Sequence, residues 1–147
     1  MRLALLVVVT SLAIGCGNSP PTAPGSDGSG GGGLGGSPID PTATLTRVQN
    51  EIFTPTCSQM ACHDTTGQQS SLVLVTGRAY DNIVNVKSVE NPTLNRIIAN
   101  DPANSYLYRK ITGSGITGDR MPQGLLPLSS AQISLIRDWI RRGAPRD

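Results

Sequence analysis

Residues 57–63 read Cys-Ser-Gln-Met-Ala-Cys-His, and this stretch contains most of the chain's chemically distinctive side chains. It holds two of the three cysteines and the single histidine. The second cysteine and the histidine are adjacent in this C-x4-C-H pattern, so a thiol and an imidazole leave the backbone at consecutive positions. Any bound metal or covalently attached group is therefore expected in this segment.

The chain has 147 residues, which limits it to one ordinary domain with a short extension. Its charged fraction of 15% and its net charge of +2 exclude a strongly basic nucleic-acid binder, and its length excludes a large multidomain enzyme. Five aromatic side chains make a thin core for a folded domain: Phe53, Tyr80, Tyr106, Tyr108 and Trp139. We therefore expect a bound group or a covalent cross-link to supplement the interior.

Residues 1–15 predict a signal peptide of the lipoprotein type. Arg2 is followed by 12 apolar and small residues, 3–14. This stretch is too short for a membrane span, which needs about 20 residues. It matches the apolar region of a signal peptide, which has about 7–15 residues. Residues 13–16 (AIGC) resemble the lipobox of bacterial lipoproteins, which implies lipidation of Cys16. An ordinary secretory signal is the alternative, and both predict export into a compartment that permits disulfides. Gly17 resembles an outer-membrane rather than an inner-membrane sorting signal.

Residues 16–40 predict a disordered tether. Between Gly17 and Asp40 the chain has nine glycines and four prolines, a composition that cannot bury enough apolar surface to offset the entropy of ordering. A glycine-rich coil of this length spans roughly 27 Å, enough to hold a small domain clear of a membrane. Residues 41–147 have the composition of the folded domain.

The last part of the domain predicts a helix. Ser129 is a suitable N-cap and Gln132 completes a capping box. The buried stripe of this helix comprises Ile133, Leu135, Ile136, Trp139 and Ile140. Gly143 and Pro145 predict its end.

Two earlier helices are also predicted. One spans residues 101–111 and begins with an Asp-Pro pair, and the other spans residues 45–53 and ends because Pro55 bars its continuation. Residues 72–75 are compatible with an extended segment and residues 79–84 with one or two helical turns. Since no alternating strand pattern persists, we expect a mainly α-helical domain.

The C-x4-C-H segment is typical of covalent haem attachment. In the related C-x-x-C-H motif, both cysteines form thioethers with haem and the histidine binds its iron. Here the cysteine spacing is two residues longer. Met121 is the expected second axial ligand, because Met1 is removed with the signal peptide and Met60 lies inside the attachment loop. Pro122 restricts the backbone beside Met121.

From Ile52 to Ala144 the chain resembles a bacterial monohaem cytochrome c domain. The matching segments follow the family's order: IFTPTC at 52–57, ACH at 61–63, SYL at 105–107, RMP at 120–122 and WIRRGA at 139–144. The resemblance implies a small cytochrome c-like helical domain around one covalently bound haem c. It also implies thioethers at Cys57 and Cys62, iron ligation by His63 and Met121, and porphyrin packing by Phe53, Tyr106, Leu107 and Trp139.

The function that this resemblance implies is electron transfer, not enzyme catalysis. With both axial positions occupied, the iron has no site for oxygen or peroxide, and methionine opposite histidine raises the reduction potential. We expect a monomeric domain that exchanges electrons with redox partner proteins, contacts the membrane through its lipid anchor and binds no nucleic acid.

Several alternatives stay open. Cys57 and Cys62 could form a disulfide in an envelope lipoprotein without haem. A zinc site is weaker, because only three ligands are local. If Met121 does not bind the iron, the open position suits a gas sensor or a peroxidase-like enzyme. The G-x-G-x-x-G pattern at 113–118 predicts a flexible loop, because no strand precedes it as a dinucleotide site requires.

Overall fold

The computed structural model describes residues 37–147, which are mainly α-helical and contain no strand longer than an isolated bridge. Their elements are α1 (Leu45–Val48), a π-helical segment (Gln49–Cys57) that continues it, a 3₁₀ turn (Gln69–Ser71), α2 (Ala79–Ile83), α3 (Tyr106–Thr112) and α4 (Ser130–Arg141). The mainly helical prediction is confirmed. The predicted signal peptide, Cys16 and most of the tether lie outside the described residues. Within residues 37–147 no helix is long and apolar enough to cross a membrane.

The hydrophobic core forms where α4 packs against both α1 and α3. Its largest fully buried side chains include Trp139, Phe53, Ile52, Ile136 and Ile140. Two of these belong to the π-helical segment and three to α4. The core therefore joins the helical segment that enters C-x4-C-H to the last helix of the chain.

Helix α4 begins with the predicted capping box. The Ser129 hydroxyl accepts a hydrogen bond from the Gln132 backbone N–H at 3.2 Å, and the Gln132 side chain accepts one from the Ser129 N–H at 2.9 Å. Gly143 follows the helix with a φ of 94°, a left-handed conformation that favours glycine. The start and end signals predicted for this helix are confirmed.

Replacing Ser129 with alanine is expected to lower the free energy of unfolding by about 1 kcal/mol, because one half of the capping box is lost. Chemical denaturation measures this change. Ser130→Ala is the matched control, because Ser130 is an exposed first-turn residue outside the capping box. Equal stability of the two variants would contradict a stabilising role for the cap.

The first helix does not end before Pro55 as predicted. Helix α1 continues into the π-helical segment, which includes Pro55 and ends at Cys57. In an α-helix, a proline ring collides with the carbonyl four residues earlier. A π-helix joins residues five apart, as in the 2.8 Å hydrogen bond from the Ser58 N–H to the Phe53 carbonyl, and Pro55 lies within this wider helix. The first cysteine of C-x4-C-H is consequently the last residue of a helix.

Helix α3 begins later than predicted, at Tyr106 and not at the Asp-Pro pair. The Asp101 carboxylate accepts hydrogen bonds from the Asn104 backbone N–H at 3.1 Å and from the Asn104 side chain at 2.7 Å. The Ser105 N–H donates to the Pro102 carbonyl at 3.1 Å. Asp101 therefore closes a turn before the helix, which is the alternative use of a capping residue.

Between α2 and α3 the chain doubles back in a way that the sequence did not predict. Isolated β-bridges join Val84 to Ile97 and Lys87 to Asn95. Further backbone support comes from the Arg96 N–H, which donates to the Val86 carbonyl at 2.7 Å. This excursion places the segment around residues 88–96 beside the C-x4-C-H loop. The short helix predicted at 79–84 is confirmed as α2.

The folded part starts earlier than the predicted boundary at residue 41. The Ser37 carbonyl accepts a hydrogen bond from the Arg141 side chain at 2.9 Å. The Asp40 N–H donates to the Asp138 carboxylate at 3.3 Å, and the Asp40 carboxylate pairs with Arg47 at 3.1 Å. Residues 37–40, assigned to the tether from composition, are therefore bound to the folded domain.

Candidate functional site

A cavity of about 420 Å³ lies beside the C-x4-C-H loop. Its walls come from the π-helical segment, the loop itself, α3, the segment around residue 121 and one turn of α4. This volume is within the range of about 300–1,000 Å³ that is typical of small-molecule and cofactor sites. Seven of the eight residues predicted to hold the haem line it: Phe53, Cys57, Cys62, His63, Tyr106, Leu107 and Met121.

Backbone hydrogen bonds fold the C-x4-C-H loop back on itself. The His63 N–H donates to the Cys57 carbonyl at 3.2 Å, and the Cys62 N–H donates to the Gln59 carbonyl at 2.9 Å. Ala61 has a φ of 65°, in the left-handed region. This tight turn accommodates the two residues by which C-x4-C-H exceeds C-x-x-C-H. Both cysteines and the histidine consequently line one cavity.

Gly67 supports the loop from outside. A Cβ atom at this position would lie 2.4 Å from the carbonyl carbon of Ala61, a distance that no real contact allows. The Asp64 carboxylate accepts hydrogen bonds from the backbone N–H groups of Thr66 and Gly67, which hold the glycine in place. The backbone between Cys57 and His63 can therefore follow this path only because residue 67 has no side chain.

Gly67→Ala is expected to lower the free energy of unfolding by about 1–3 kcal/mol, the usual cost of overpacking, because either Ala61 or residue 67 must move. It should also reduce the yield of any group attached at Cys62. Thermal unfolding checks the first effect. Thr66→Ala is the control, since Thr66 is exposed and its hydroxyl makes no hydrogen bond within residues 37–147. A Gly67→Ala protein as stable as this control would refute the close-contact role.

The two cysteines of the motif differ in exposure and are both free thiols. Burial, with a smaller contribution from Cys62, raises the pKa of the Cys57 thiol to about 12, so this thiol is protonated at neutral pH. Cys62 is exposed at the other end of the loop. In the part of the chain described, no three His, Cys, Asp or Glu side chains come together in a metal-binding group, which gives the zinc alternative no support.

The His63 ring has a buried nitrogen without a partner. Its Nδ1 atom makes no hydrogen bond to any residue of the described range. Burial lowers the pKa of His63 below its ordinary value, although the backbone carbonyls of Gln69 and Leu72 and the charge of Glu90 act in the opposite direction. The neutral imidazole has the free electron pair that a metal ion requires.

Met121 is held against the core at the same cavity. Its backbone N–H donates to the Lys110 carbonyl of α3 at 2.9 Å, which attaches this loop residue to a helix. Met60, by contrast, is 85% exposed and does not line the cavity. Of the methionines in residues 37–147, Met121 is therefore the one placed to bind a cavity occupant.

Trp139 does not line the cavity, contrary to the role that the resemblance implied. The side chain is fully buried in the core, where its indole N–H donates to the Pro145 carbonyl at 2.9 Å. This bond holds the C-terminal segment on α4. Ile136, one turn earlier on α4, lines the cavity instead.

One wall of the cavity has charged residues that the sequence did not predict as site residues. The Lys110 ammonium is 2.8 Å from the Glu90 carboxylate, and Tyr106 also donates to Glu90 at 3.3 Å. Arg96 lines the same cavity and is 7% exposed. A signal for Lys110 was present, because this residue lies three positions after Leu107 and shares a helix face with it.

No family model, characterised protein or solved structure matches this chain. The function must therefore be inferred from the cavity and from the residues that line it.

Proposed function

We propose that this chain is an exported, lipid-anchored electron carrier with a single c-type haem. The observation on which this proposal rests is the convergence of Cys57, Cys62, His63 and Met121 on one cavity. Met121 is remote from the other three in sequence and was selected only as a soft donor. Its presence at the same cavity is what a second axial ligand requires.

The residues at the cavity fit a haem in three respects. The wall contains apolar side chains, including those of Phe53, Leu107 and Ile111, which suit a flat apolar ring. Two free thiols lie at the same cavity. The Nδ1 atom of His63 is buried at this cavity and makes no hydrogen bond within residues 37–147.

In this proposal each residue has one task. Cys57 and Cys62 hold the porphyrin edge through thioether bonds, and His63 and Met121 bind the iron. The haem supplies one-electron transfer by cycling between its ferrous and ferric states. With His63 and Met121 both committed to the iron, the chain would leave no position for an external ligand, which suits a carrier and not an enzyme.

The location of the protein follows from the sequence in this proposal. Lipidation at Cys16 attaches the mature chain to a membrane, with the outer membrane favoured, and the glycine-rich tether separates the domain from the lipid. The domain then acts as a monomer that meets redox partner proteins. A haem held by these residues would exchange electrons with such partners by outer-sphere transfer.

Mass spectrometry of the mature protein tests the proposal. The protein is produced with its signal peptide in a bacterium that attaches c-type haem, and the fragment containing residues 57–63 is analysed. We expect this fragment to carry a porphyrin on both cysteines and the N-terminal fragment to carry lipid on Cys16. A porphyrin-free fragment with a Cys57–Cys62 disulfide would favour the envelope lipoprotein without haem.

Carbon monoxide distinguishes the carrier from a haem protein with an open site. If Met121 binds the iron, the absorption spectrum of the reduced protein should change slowly or not at all on addition of carbon monoxide. Rapid binding would instead favour a gas sensor or a peroxidase-like enzyme.

A further inference from the structure

Arg96 is a buried cation without an anionic partner in the described part of the chain. Its side chain lines the cavity and the residue is 7% exposed. The guanidinium donates to three backbone carbonyls, those of Asn82 at 2.8 Å, Ser70 at 2.9 Å and Ser71 at 3.1 Å. None of the ion pairs within residues 37–147 includes Arg96.

The nearby carboxylate of Glu90 is already matched by another cation. Its Oε2 atom is 2.8 Å from the Lys110 ammonium, and its Oε1 atom accepts a hydrogen bond from Ser70 at 3.2 Å. Lys110 also donates to the Thr117 carbonyl at 3.1 Å. The charges of Glu90, Lys110 and Arg96 therefore leave this wall with one excess positive charge.

An uncompensated charge in a buried position is expensive, and proteins normally pair it. An arginine retains its charge under all ordinary conditions and has five N–H donors in a planar fork. Three hydrogen bonds to carbonyls fix the orientation of the Arg96 fork and leave two of these donors without a protein partner in the described range. Arg96 can therefore donate further hydrogen bonds to an anion.

We propose that Arg96 binds a carboxylate of the molecule that fills the cavity. This inference rests on the proposed function, in which that carboxylate is a propionate of the haem. A carboxylate that accepts a hydrogen bond from a free guanidinium N–H forms a charge-assisted bond, which is roughly twice as strong as a neutral one. Arg96 is thus a positioning residue: it fixes the orientation of the cofactor and does not bind the iron.

Lys110 is the less suitable cation at this wall, although it is equally buried. Its ammonium is committed to Glu90, and moving to another carboxylate would leave Glu90 unpaired. The other ionisable side chains that line the cavity, Cys57, Cys62, His63 and Tyr106, include no further lysine or arginine. Arg96 alone supplies a positive charge without breaking an existing pair.

Resonance Raman spectroscopy of the haem-loaded protein tests the inference, because the propionate bending mode responds to hydrogen bonding at the carboxylate. We expect this mode to shift in Arg96→Met and to shift less in Arg96→Lys, which keeps the charge but lacks the planar fork. Arg78→Met is the matched control. It removes an exposed arginine that does not line the cavity, so its spectrum should equal that of the wild type.

The outcomes separate this inference from the proposed function. A wild-type protein without haem refutes the proposed function and the propionate contact together. A haem-loaded Arg96→Met protein with an unshifted propionate mode refutes only the contact. If Arg96→Met does not accumulate, Arg96→Lys decides, since an unshifted mode in that variant would also overturn the inference.

Discussion

Replacing His63 with alanine is expected to abolish accumulation of the haem-loaded protein. The chain has no other histidine that can replace this proposed ligand. Removing an outer-shell partner alone costs a metal site roughly 10–100-fold in affinity, so the loss of a direct ligand should exceed this. The measurements are a haem stain of the denatured protein and the yield of folded protein in the envelope fraction.

Thr56→Ala is a suitable control for His63→Ala. Thr56 also lines the cavity and is half-buried, but its hydroxyl makes no hydrogen bond within residues 37–147. This variant should accumulate with wild-type haem content. A His63→Ala protein that is folded and has the wild-type absorption spectrum would exclude His63 as the iron ligand.

Replacing Met121 with alanine is expected to lower the reduction potential and to leave the haem attached. The thioether of methionine stabilises ferrous iron, so its loss favours the ferric form. Axial ligands set haem potentials over a range of about 0.8 V, and we expect a fall that is a substantial fraction of this range. A spectroelectrochemical titration measures the potential. Carbon monoxide should also bind the reduced variant rapidly, because a coordination position is open.

Met60→Ala is the matched control for this potential. It removes the same thioether from a side chain that is 85% exposed and outside the cavity wall. Its potential should equal that of the wild type. Equal potentials in Met121→Ala and Met60→Ala would remove Met121 from the site, whereas covalent haem at Cys57 and Cys62 would be unaffected by that result.

The sequence predicted α4 well because its signals are local. The Ser129–Gln132 capping box and the terminal glycine at 143 act within one turn of the helix ends, and the structure forms both. The predicted start of the helix at 101–111 and the predicted end of the helix at 45–53 were wrong, whereas the start at Leu45 and the end near Ile111 agree with the structure. The Asp101 carboxylate accepts hydrogen bonds from Asn104 and does not cap a helix at residue 101. Pro55 lies within a π-helical segment and does not end the first helix. Residue type alone does not distinguish these uses.

The sequence predicted the site residues that belong to a recognisable motif. It did not predict the site residues that only tertiary packing brings to the cavity. The C-x4-C-H pattern and the choice of Met121 identified residues that line one cavity, while the bound haem stays a prediction. Glu90 and Arg96 were missed, because charged residues in a segment without periodicity are usually solvated. Only the chain reversal between α2 and α3 brings them to the cavity wall.

The attachment of residues 37–40 to α4 has a mechanical consequence. A pulling force on the chain before Ser37 acts first on the bonds that attach residues 37–40 to the domain. These bonds join Ser37 to Arg141, and Asp40 to Asp138 and Arg47. None of these residues lines the cavity. These bonds to α1 and α4 therefore resist the force. The residues that line the cavity can keep their geometry while the force acts on the domain.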